Sequence, residues 1–86
     1  MTKDDLVYVE HMLEMARKAS SKTHAVTREE FDRDENLRLA LTHLLQVIGE
    51  AVGRVSANFK ENHPHISWAA IVEMRNRVVH EYLNVD

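Results

Sequence analysis

The chain has no cysteine, one proline and two glycines in 86 residues. With no cysteine there is no disulfide and no Cys-rich zinc site. So little Gly and Pro excludes a turn-rich all-β fold. No apolar run approaches the ~20 residues that a membrane span needs. The opening segment, Met1 to His11, carries no apolar stretch behind a basic one, so it does not read as a secretory signal. A soluble, cytoplasmic protein is expected. Excess positive charge is also missing: 11 Lys and Arg against 14 Asp and Glu give a net charge of −3. General coating of nucleic acid, which needs a strongly basic face, is therefore disfavoured, while a local basic site is not. No Gly-rich phosphate loop, nucleophile elbow or His-Glu-x-x-His motif is present.

What the chain does have is helical periodicity. Thr2 with Asp5 reads as a capping box opening a helix of about four turns. Its apolar stripe is Leu6, Val9, Leu13 and Ala16, with Met12 beside it. Ser20 to His24 reads as a connector. Thr27 with Glu30 forms a second capping box, and Phe31 is the expected plug under a short helical turn. Asp34 caps the next helix, where Leu37, Leu41, Leu44, Ile48, Ala51 and Val55 recur at steps of four and three. Leu45, Val52 and Phe59 make a second stripe beside the first, so this helix is predicted to run from Leu37 to Phe59. A stripe this wide suits burial on two sides, against its own domain and against a second chain. Gly49 and Gly53 either allow a close helix crossing or form a small-residue patch.

Lys60 to His65 reads as a loop, since Pro64 biases His63 away from helix. Ser67 then caps a last helix carrying Trp68, Ile71, Val72, Met74, Val78, Val79 and Tyr82. The expected architecture is all-α: a single-domain antiparallel bundle of about three main helices plus a short helical turn. At this length a lone core buries only ~60–65% of the unfolded surface, so a partner subunit is the natural source of further burial.

Six histidines ask for a reason at each position. His63-Pro64-His65 invites a metal reading, but the spacing is poor and no third ligand is near, so a solvated loop is the simpler account. His11 and His43 read as surface or core-edge residues, and His24 as solvated. The acidic run Asp32 to Glu35 reads as a helix start rather than a catalytic carboxylate pair.

The segment Met74 to Tyr82 is different, because it places Arg75, Asn76 and His80 in a helix otherwise made of core residues. Asn76 and His80 are four apart and share a face, with Arg75 roughly 140° from His80 on an ideal helix. By spacing alone, a salt-bridged bundle helix accounts for this, and a histidine near a helix C-terminus gains from the dipole without any function. The alternative is RNA cleavage without a metal. An imidazole with an ordinary pKa of about 6.5 can take the 2′-hydroxyl proton, and a guanidinium matches the charge gathering on the phosphate.

Arg75-Asn76-x-x-x-His80-x-Tyr82 resembles the Arg-x4-His-x-Tyr signature of HepT-like proteins in the HEPN superfamily. Ile48-Gly49-Glu50-Ala51 is similar to part of that family's long second helix. Phe59 to Trp68 is similar to its following loop and the start of its third helix. The resemblance covers essentially the whole chain. It implies a dimeric helical bundle whose paired motifs form one cleft. It also implies a metal-independent endoribonuclease with no cofactor, the toxin of a type VII-like toxin–antitoxin pair. Arg75 and His80 would be catalytic, with Asn76 as the adjacent polar helper and Arg77 as an RNA contact. The implied partner is an MntA-like minimal nucleotidyltransferase antitoxin, which in the family transfers AMP to the motif tyrosine, here Tyr82. A phosphate there places negative charge where RNA phosphate must bind. The alternative within the same fold is a non-catalytic dimeric module that partners such a nucleotidyltransferase. Family members usually continue past Val85-Asp86 into a further helix, so the resemblance implies a bundle one helix short, with uncovered apolar faces that favour association.

Overall fold

A computed structural model describes residues 3–83, and all regular structure among them is α-helical. In chain order the elements are α1 (Lys3–Thr23), α2 (Arg28–Arg33), α3 (Glu35–Arg54), α4 (Ala57–Asn62) and α5 (Trp68–Leu83). Thr2 lies outside the described residues, and with it the first capping box. The second box is present: the Thr27 hydroxyl accepts from the Glu30 amide at 3.1 Å, and the Glu30 carboxylate accepts from the Thr27 amide at 3.3 Å. Asp34 caps α3 by accepting from the Leu37 amide at 2.9 Å. Arg38, one turn into α3, donates to the carbonyls of Phe31 and Asp32, which ties the short α2 to the head of α3. Phe31 is only half-buried there.

The core is organised around α3, which packs against α1 on one flank and α5 on the other. The start of α1 meets the end of α3, and the end of α3 meets the start of α5, so the three long helices run antiparallel. Leu44, Ile48, Ala51, Val52 and Val55 are all buried, as their stripe predicts. On the second flank of that stripe Val52 and Phe59 are buried and Leu45 is half-buried.

Three boundaries differ from the sequence reading. First, α1 continues through Ser20 to Thr23, nearly six turns rather than four. The Thr23 hydroxyl donates back to the Ala19 carbonyl at 2.9 Å, satisfying an end-of-helix acceptor. The chain then turns through Ala25, whose φ of +59° is the left-handed conformation. Second, α3 ends at Arg54, because Val55 and Ser56 are extended. Ser56 caps a separate helix, α4, by accepting from the Phe59 amide at 3.1 Å, while its own amide and hydroxyl donate to buried Asp5 at 2.8 Å each. Phe59 is buried as predicted, but from α4. Third, Lys60 to Asn62 is helix rather than loop.

The predicted α1 stripe is also rotated from the packed one. Asp5, Met12, Met15 and Ala19 face α3, whereas Leu6 and Leu13 are 45% and 49% exposed. The apolar side of α1 that carries Val9 and Leu13 instead forms one wall of an open groove of about 340 Å³. Leu45 and Ile48 form its floor, and Trp68 and Met74 the wall from α5. The radius of gyration, 14.0 Å, exceeds the roughly 12 Å of a compact domain of this length, in keeping with a bundle open along one side.

Candidate functional site

The Arg75–His80 segment lies in the middle and second half of α5. Val79, buried at 6% exposure, anchors this stretch on α3. At 100° per residue, burying Val79 places Arg75 at the α3 contact and turns Asn76 and His80 outward together, 40° apart. The burial pattern agrees: Arg75 is half-buried, while Asn76, Arg77 and His80 are exposed. The side chain of Tyr82 lies outside the described residues.

Arg75 is held at both ends. Its stem lies across Gly49 of α3, so closely that a Cβ on Gly49 would stand 2.7 Å from Arg75 Cγ, 3.1 Å from Cδ and 3.2 Å from Cβ. Its guanidinium donates from Nη1 to Asn76 Oδ1 at 2.9 Å. Asn76 is thus in contact with the Arg75 guanidinium. The structure therefore brings Arg75 and Asn76 into direct contact and sets His80 one turn further along the same outward side.

Sequence reasoning did not assign Gly49 to this site. The signal was present in Ile48-Gly49-Glu50, but two glycines four apart read equally as a crossing or a patch. The structure separates them, since a Cβ at Gly53 would meet nothing among the described residues within 4 Å.

Other candidates resolve as structural. His63 is half-buried against Phe59, with ring centroids 4.1 Å apart and planes 19° from parallel. Its Nδ1 lies 2.9 Å from the Phe59 carbonyl, and its own carbonyl accepts from the Trp68 indole at 3.1 Å. It thus stitches α4 to α5, while Pro64 and His65 are exposed. Among the described residues no group of three or more His, Cys, Asp or Glu is placed to hold a metal. His11, His24 and His43 are exposed, and Asp32 pairs with Arg28 at 3.3 Å on the surface. No helix among the described residues is long and apolar enough to cross a membrane. The open groove lies on the other side of α5, since Met74 is about 120° from His80 on the helix. Its apolar lining offers nothing to a phosphate.

What the site can do chemically follows from its parts. A guanidinium bonded to Asn76 and an exposed imidazole further along the same helix offer an anion contact and a proton carrier, which suit attack at a phosphodiester.

Residues 12–86 match the family model described as Ribonuclease HepT-like. Among similar proteins, one from Caldanaerobacter subterraneus subsp. tengcongensis, named Putative RNase TTE0752, is 33% identical over 79 residues, covering 92% of this chain and 70% of its own length. One from Thermococcus cleftensis, named Probable ribonuclease HepT, is 32% identical over 79 residues, covering 92% of this chain and 72% of its own. One from Methanocaldococcus jannaschii, named Gamma-glutamylcyclotransferase and putative RNase MJ0434, is 31% identical over the whole chain, which spans 39% of that protein. No solved structure matches.

Proposed function

The chain belongs to the HepT-like ribonuclease family, and from that premise we propose that it is a metal-independent endoribonuclease with Arg75 and His80 as its catalytic residues. The observation that carries this reading is the fixed Arg75 guanidinium, seated on Gly49 and bonded to Asn76, beside the outward face that bears His80.

In this mechanism His80 takes the proton from an RNA 2′-hydroxyl. The 2′-oxygen forms a bond to the adjacent phosphorus as the bond to the 5′-oxygen breaks. Arg75 lies against the non-bridging oxygens, whose negative charge grows in the transition state, and such a donor is worth about 10²–10³ in rate. The leaving 5′-oxygen takes a proton from a second imidazolium, supplied by the paired motif of a homodimer. The products are a 2′,3′-cyclic phosphate and a 5′-hydroxyl. Exposed Arg77 contributes a backbone contact to the RNA.

The same reading places the protein as the toxin beside an MntA-like nucleotidyltransferase antitoxin, with Tyr82 as the acceptor of AMP. Tyr82 is two residues from His80, so the added phosphate repels RNA from the site.

The test is RNA cleavage by purified protein in EDTA. Cyclic-phosphate ends are expected, with loss of cleavage in Arg75→Ala and in His80→Ala while the dimer persists. Cleavage that survives His80→Ala refutes the assignment. No turnover by the unaltered protein, together with a stable complex with the nucleotidyltransferase, gives the non-catalytic module instead.

A further inference from the structure

We infer that Gly49 is a positioning residue for the reaction: its missing side chain is the seat that holds Arg75 in its working rotamer. This inference deepens the ribonuclease reading and rests on it for its catalytic meaning. The geometry is specific to one of two otherwise similar glycines. Both lie within α3, one turn apart, and neither has a positive φ, so the backbone needs glycine at neither. Each weakens the helix relative to alanine. At Gly53 nothing among the described residues occupies the space of a side chain. At Gly49 that space is taken by the root of Arg75: three successive carbons, Cβ, Cγ and Cδ, lie within 3.2 Å of the position a Cβ would take.

The contact is at the root rather than the tip of the side chain, so swinging the guanidinium does not relieve it. A methyl group at position 49 forces Arg75 to change rotamer or α5 to move away from α3. A rotamer change breaks the 2.9 Å bond from Nη1 to Asn76 Oδ1, and a movement of α5 carries the guanidinium and Asn76 together out of place. A displacement of about 1 Å at a positioned catalytic group is enough to cost about 10²-fold in rate. Gly49 and Asn76 thus hold the two ends of Arg75, one by leaving room for the stem and the other by accepting from the head.

The experiment compares Gly49→Ala with Gly53→Ala, each made in the unaltered chain and in Arg75→Ala. For cleavage, Gly49→Ala is expected to lower kcat at least tenfold with a much smaller change in KM. Gly53→Ala is expected to cleave like the parent. For stability, Gly49→Ala is expected to lower Tm when Arg75 is present and to raise it in Arg75→Ala, where the side chain that fills the seat is cut back. A merely structural glycine would not reverse sign with residue 75. Equal cleavage by Gly49→Ala and an active parent overturns the inference, as does the same Tm change in both backgrounds. If the parent does not cleave RNA, the ribonuclease reading fails on its own, and the sign of the Tm change still decides whether Gly49 seats Arg75.

Discussion

Replacing Asp5 with alanine is expected to destabilise the whole bundle, although Asp5 lies only three residues into α1. Its carboxylate is 2% exposed and accepts from both the amide and the hydroxyl of Ser56, at 2.8 Å each, across 51 residues of sequence. Hydrogen bonds to a charged acceptor contribute about 1.5–3 kcal/mol each, and the desolvation of the carboxylate offsets part of that. Removing the carboxylate also leaves the Ser56 amide without this partner in a half-buried site. The expected loss is about 2–4 kcal/mol, a large share of the roughly 4–13 kcal/mol available to a chain of this length. At about 4–8 °C per kcal/mol for a domain of this size, Tm should fall by about 10–25 °C. Asp5→Asn, which keeps the shape but offers one acceptor oxygen to two donors, should cost roughly half as much. Thermal and urea unfolding followed by circular dichroism measure both. Hydrogen exchange should show the Phe59 amide losing protection in Asp5→Ala, because the Ser56 hydroxyl that caps it is no longer held. A change in stability below about 0.5 kcal/mol for Asp5→Ala would refute the reasoning, since that is the scale of an ordinary surface substitution.

Val52→Ala should cost about 1.5–3 kcal/mol in urea unfolding, because Val52 is the most deeply buried apolar side chain, at 2% exposure, and its two lost methyl groups leave a cavity in the core around α3. Ala25→Gly should raise stability by up to about 1 kcal/mol: the left-handed φ of +59° costs alanine about 1–2 kcal/mol, and the greater freedom of glycine in the unfolded chain returns part of the gain. A fall in Tm would show that the turn after α1 is not strained. Asp34→Ala removes the cap on the Leu37 amide and should cost about 1 kcal/mol by thermal unfolding, with far-ultraviolet helicity little changed because the α3 core is intact.

Much of this molecule is legible in its sequence where the cause is local. The Thr27–Glu30 box and the Asp34 cap each bond within three residues, so residue types and spacing suffice to find them. The α3 stripe is legible because Leu44, Ile48, Ala51 and Val55 repeat the helical period over several turns, and only a buried face produces that pattern. The shared face of Asn76 and His80 follows from the same arithmetic, with Arg75 beside Val79 at the α3 contact.

What the sequence did not settle depended on distant partners. The break after Arg54 has a local sign in Ser56, a good capping residue, but the apolar period runs through it to Phe59; Asp5, from the opposite end of the chain, holds Ser56 where the break occurs. The α1 stripe was read a quarter-turn or so from the packed face, because the groove wall is as apolar as the face on α3, and periodicity cannot say which of two apolar sides finds a neighbour. The same limit applies to the glycines. Sequence by itself determined an all-α chain with a polar face on its last helix. Only the tertiary structure decided that Gly49, and not Gly53, lies under Arg75, because the space a missing side chain leaves has meaning only once the neighbouring helix is in place.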